Sequence, residues 1–114
     1  MTTTDTRHRW LDTYRHLTNV AEAFRDSQSV AFGLLDAYDQ LSSAEKTDVH
    51  EVLVEWLESD DYKLRYDAEF VTSQRKIVEM VPAVEKAIQK IDELSGPEAK
   101  YEVKKLRRIL TELS

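Results

Sequence analysis

The residues whose spacing could hold a metal or run acid–base chemistry in this chain are first its 3 histidines and 22 carboxylates; there is no cysteine. His8, Asp12 and His16 recur at i, i+4 and i+8, a spacing that lets neighbouring pairs on a helix pinch a metal ion. Eight residues of helix drift by ~80°, so the three do not converge, and a solvated helix face accounts for them. His50-Glu51 opens like a zinc-protease helix, but Val54 stands where the second histidine is required. Paired-carboxylate catalysis needs two acids whose surroundings push their pKa values apart, and most acids here fall on the solvent side of their helices. A glycine-rich phosphate loop, GxSxG and GxGxxG are all missing. The expectation is a non-catalytic protein with no metal and no cofactor.

Charge in bulk is the stronger signal. Residues 27–61 hold nine acids and one base, Lys46, whereas residues 1–26 balance four against four and residues 62–96 six against six. Within the acidic stretch Asp48, Glu51, Glu55 and Glu58 step by three, four and three along one helix face, and Asp60 and Asp61 follow. Like charges at these spacings destabilise a helix by a few tenths of a kcal/mol each, and a purely structural face intersperses lysines among them. These six residues are therefore the candidate contacts for a basic protein partner, with simple solubility as the open alternative. Residues 97–114 reverse the balance, with Lys100, Lys104, Lys105, Arg107 and Arg108 against three acids. Glu98, Glu102 and Glu112 interrupt that run, so nucleic-acid binding is not the expected use. A homodimer, acidic helix to basic helix, stays open.

The elements that position these charges follow from apolar periodicity. Trp10, Tyr14, Leu17, Ala21 and Phe24, widened by Leu11 and Val20, mark a helix over about 5–25, with a break near Ser27–Ser29. Val30, Leu34, Tyr38 and Leu41 mark a second, with Gly33 inside it at a cost of about 1 kcal/mol against alanine. A close helix crossing or a slight bend would account for that glycine. Ser42 and Glu45 have capping-box spacing ahead of a third helix carrying Val49, Val52, Leu53, Trp56 and Leu57. That helix should stop near Ser59, where Ser59, Asp60 and Asp61 suit the start of a fourth helix burying Leu64, Ala68 and Val71. Thr72 to Lys76 reads as a connection. Pro82 suits the first turn of a fifth helix with Val84, Ala87, Ile88, Ile91 and Leu94 inward. Ser95 and Glu98 repeat the capping spacing before a sixth, with Ala99, Val103, Leu106, Leu110 and Leu113 on its apolar face.

No segment alternates with period two for long enough to make a strand. With 114 residues, 2 glycines and 2 prolines, the expected fold is all-α: one domain over 1–114, six helices as three antiparallel hairpins. The opening MTTTDTRHRW lacks the apolar core of a signal peptide, and no apolar run nears the ~20 residues that span a bilayer. A cytoplasmic protein with no membrane association is expected.

VLVEWLESDDYKLRYDA followed by VPAVEKAIQKI resembles a HEAT-type helical repeat. Leu53 and Leu57, the Asp60–Asp61 turn, Leu64-Arg65, Ala68 and Val81-Pro82 carry the resemblance over about residues 45–95, and Leu106-Arg107 echoes it more loosely. Val49, Leu53 and Trp56 match Val84, Ile88 and Ile91 at an offset of 35, and Leu64-Arg65, Ala68 and Val71 match Leu106-Arg107, Leu110 and Leu113 at 42. The resemblance implies a right-handed α-α superhelix in which Arg65 is structural, tying the fourth helix to the Asp60–Asp61 turn or to the next hairpin. A small, acidic, cysteine-free helical chain of this kind is also similar to bacterial immunity proteins, which implies a stoichiometric toxin inhibitor. The alternatives are a self-associating scaffold or adaptor and, second, a nucleic-acid module using the basic last helix.

Overall fold

The computed structural model describes residues 3–24, 28–94 and 96–113. Among them are six α-helices and no strand: α1 Thr3–Phe24, α2 Gln28–Asp39, α3 Ser43–Glu58, α4 Tyr62–Gln74, α5 Val81–Asp92 and α6 Pro97–Leu113. The all-α expectation holds. The break expected around Ser27, the Phe24 side chain, Arg25, and Ser95 of the second capping box lie outside the described residues; α2 has begun by Gln28. The chain divides into two compact units, Met1–Leu53 and Val54–Ser114, with α3 beginning in the first and ending in the second.

In the first unit α1 packs on α2. Their crossing explains Gly33: a Cβ there would lie 2.5 Å from Leu17 Cδ2 and 2.8 Å from Cδ1, so only a hydrogen fits. Trp10 and Ala21 of α1, Val30, Leu34 and Tyr38 of α2, and Val49, Val52 and Leu53 of α3 are buried. Val20, expected to widen the stripe of α1, is exposed instead. The capping box ahead of α3 is complete: Glu45 N donates to Ser42 Oγ at 3.2 Å, and Ser42 N donates to Glu45 Oε1 at 2.9 Å. Arg9 of α1 also donates to Glu45. The Ser42 amide first, then the Arg9 guanidinium and the Ser42 hydroxyl, hold the Glu45 carboxyl down to about 2.

In the second unit α3 ends at Glu58 and the chain turns. Asp61 N donates to Ser59 Oγ at 3.0 Å, and Asp61 Oδ1 accepts from Lys63 N at 2.9 Å, which caps α4. The connection expected over Thr72–Lys76 is corrected by the structure, because α4 continues to Gln74. Thr72 is buried beside Val71 on the inner side of α4, which holds the last turn in the helix. The helix then closes with a left-handed residue, Lys76 at φ 48°, with Lys76 N donating to Ser73 O at 3.2 Å and Ile77 N to Thr72 O at 3.1 Å. Glycine is the usual residue there, and its absence hid the boundary. A single 3₁₀ turn, Val78–Met80, leads into α5 with Ile77 and Met80 buried and Pro82 in the first turn of the helix. α6 packs on both α5 and α4. Of the expected core positions in this unit, Leu64, Ile88 and Ala99 are half-buried, and two others are corrected. Leu94 is 61% exposed, because α5 has ended at Asp92, and Ile109 takes the buried place given to Leu110, which is half-buried.

Candidate functional site

The six acidic candidates do not behave alike. Glu51 and Glu55 are exposed on successive turns of α3, while Asp48 is half-buried. Glu58 is half-buried and its Oε1 lies 3.2 Å from Lys86 Nζ; Lys90 donates to the Glu58 carbonyl and reaches Asp60 Oδ1 at 3.4 Å. Asp60 is otherwise almost wholly solvated, at 99% side-chain exposure, so that contact adds little stability. Asp61 serves as the cap of α4. The end of the stripe is thus partly neutralised by α5, and its exposed members on α3 are Glu51 and Glu55.

Arg65 lies one turn into α4 and works between α4 and α6. Its Nε donates to Glu102 Oε1 at 2.7 Å and its Nη2 to Glu102 Oε2 at 3.0 Å, a bidentate pair, while Nη1 donates to the Ser59 carbonyl at 3.0 Å. Hydrogen bonding to Glu102 raises the Arg65 pKa further above its ordinary value, so the guanidinium stays charged. One turn on, Glu69 is buried with its Oε1 3.0 Å from Lys105 Nζ, and that ammonium also sits 4.4 Å from the centre of the Tyr66 ring. Neither Glu69 oxygen meets a donor at hydrogen-bonding geometry among the described residues. Burial, reinforced by the Glu102 carboxylate and opposed by Lys105, pushes the Glu69 carboxyl up to about 7.

Sequence reasoning singled out Arg65 as a structural tie but missed its buried partners by assigning acids to solvent faces. Asp67, Glu69, Thr72 and Glu102 are all buried. A signal was present: α4 carries Leu64, Ala68 and Val71 on one side and Tyr66 and Phe70, stacked at 6.3 Å, on another. A helix apolar on two sides is covered on two sides, and polar residues between them are buried with it. Also missed was Tyr38, whose hydroxyl lies 2.8 Å from His50 Nε2 while its ring stacks on the imidazole and receives Lys46 at 5.1 Å.

His8, Asp12 and His16 are exposed, and Asp12 Oδ1 accepts from Arg15 at 3.3 Å. No group of three or more His, Cys, Asp or Glu that could hold a metal occurs among the described residues, and no helix among them is long and apolar enough to cross a membrane. On α6, Lys100, Lys104, Arg107 and Arg108 are exposed. Comparison with protein-family models, with curated proteins and with solved structures gave no match.

Proposed function

We propose that this chain is a non-catalytic protein-binding module whose acidic α3 face docks a basic partner, in the manner of immunity proteins that neutralise basic toxins. The observation that supports this reading is the exposure of Glu51 and Glu55 on a stretch, residues 47–62, that contains no lysine or arginine. The nearest preceding cation, Lys46, lies over the Tyr38 ring. Exposed carboxylates on one helix face speed encounter with a cationic surface and repel nucleic acid. The resemblance of residues 45–95 to HEAT-type repeats belongs to the same reading, since such stacks present surfaces and leave the chemistry to others.

The test is the protein encoded by the neighbouring reading frame, expected to be a basic toxin. Calorimetry should find a one-to-one complex. Glu51→Lys with Glu55→Lys should weaken it more than about ten-fold and flatten its salt dependence. An affinity that survives the double charge reversal removes α3 as the contact. A second reading, self-association of the acidic α3 with the basic α6 of another copy, is supported by the exposed Lys100, Lys104, Arg107 and Arg108. Sedimentation at low and high salt separates the two, because a monomer at every salt concentration retires self-assembly.

A further inference from the structure

Six large apolar or aromatic side chains are exposed among the described residues, and three of them line one open cleft in the second unit. They are Tyr62 at 55% exposure, Leu94 at 61% and Tyr101 at 68%. The cleft, about 670 Å³, lies where the start of α4, the end of α5 and the start of α6 meet. Single exposed hydrophobics are ordinary, but three converging on one concavity, two of them tyrosines, mark a contact surface.

Charge decides what the cleft takes. Its charged residues are Arg65, Glu102 and Glu98. The Arg65 guanidinium spends its Nε–Nη2 fork on Glu102, gives a third N–H to the Ser59 carbonyl and lies over the Tyr62 ring at 5.6 Å, so its positive charge is already answered within the chain. The Arg65–Glu102 pair cancels, which leaves Glu98 to set a negative sign. Tyr101 follows Glu98 by three residues on α6, and its exposed ring adds an electron-rich face that favours a cation.

We propose that this cleft receives an arginine side chain of a partner protein, its guanidinium held between Tyr101 and Glu98 and a neighbouring apolar residue seated on Leu94 and Pro97. Arginine fits better than lysine because a planar cation stacks on a tyrosine while its edge hydrogen-bonds a carboxylate. Arg65 on Tyr62 is the same contact made within the chain. The proposal stands apart from the α3 reading and does not rest on it.

The experiment is an NMR titration of the full ¹⁵N-labelled chain with acetyl-Leu-Arg-Leu-amide, beside the Leu-Gln-Leu and Leu-Glu-Leu peptides and inorganic phosphate. The arginine peptide should shift the amides of Tyr62, Leu94, Glu98 and Tyr101 with a Kd of about 1–10 mM. Glu98→Gln and Tyr101→Ala, both at exposed positions, should each weaken it by about two- to five-fold while leaving the rest of the spectrum in place. No shift at these amides overturns the proposal. So does an equal response to the glutamate peptide or to phosphate, or an unchanged Kd in both variants. Glu51→Gln with Glu55→Gln should leave the arginine peptide's Kd within about two-fold. A larger loss there moves the contact to α3 and refutes the cleft, whereas failure of the α3 reading leaves this titration unaffected.

Discussion

Replacing Glu69 with glutamine should remove a pH dependence that runs opposite to the one most carboxylates impose. The Glu69 side chain is 1% exposed, and its carboxyl sits at about 7 against an ordinary 4.5. Below about 4.5 the group is protonated whether the chain is folded or not, and above about 7 it is charged in both states. Between those values the folded chain holds a proton that the unfolded chain has lost. Its contribution to stability is therefore complete at the acid end and disappears as pH rises through 7. A raised value of that size is worth about 3 kcal/mol, most of it lost between pH 5 and 8, a large share of the 5–15 kcal/mol typical of a domain. Glutamine keeps the shape and cannot ionise, and Lys105, at 27% side-chain exposure, can still reach water. Urea denaturation followed by circular dichroism should find Glu69→Gln close to the parent at pH 5 and more stable than it by about 2–3 kcal/mol at pH 8. A stability difference that stays flat across that range, or a Glu69 carboxyl that titrates near 4.5 by carbon NMR, would refute the burial argument.

Other substitutions probe the remaining joints. Arg65→Met should destabilise the chain by about 3 kcal/mol in the same urea assay, because it leaves Glu102 buried without its bidentate partner, and adding Glu102→Leu should recover most of that loss. Gly33→Ala collides with Leu17, so a double-mutant cycle with Leu17→Ala should give a coupling of about 1 kcal/mol, while additive effects would refute the close crossing. Lys76→Gly should stabilise by about 0.5–1 kcal/mol in thermal melts by relieving the left-handed backbone. Glu45 should titrate near 2 by NMR; the stability it contributes is present above about 4.5 and lost as pH falls through 2, and Arg9→Ala should move that titration upward.

Most of the helical framework was legible because stripes such as Val49, Val52, Leu53, Trp56 and Leu57 repeat at helical spacing and all five are buried. The Ser42–Glu45 box and the Asp61 cap were legible for the same local reason: each is completed within four residues by its own chain. What escaped depends on partners distant in sequence. Glu69 and Glu102 look like solvent residues until α6 is laid against α4, and the Arg65–Glu102 bond joins positions 37 apart. The rotation of α6 was ambiguous because Leu106 and Leu113 belong equally to a stripe through Leu110 and to one through Ile109. Tertiary contact chose the second. The cleft was invisible for a related reason, since Tyr62, Leu94 and Tyr101 share no helix face and meet only where three elements converge.

Two charges on α4 and two on α6 occupy fixed steps along their helices, and that arrangement works as a key for the last helix. Sliding α6 by one turn one way would set Leu106 in the place of Glu102 and leave the guanidinium facing grease. Sliding it the other way would offer Glu98 to Arg65 but set Tyr101 in the place of Lys105. Adding or deleting one residue between Glu102 and Lys105 would swing one ion away from its lock by about 100°. Between Glu102 and Lys105 the count of residues is itself a constraint, independent of which residues they are.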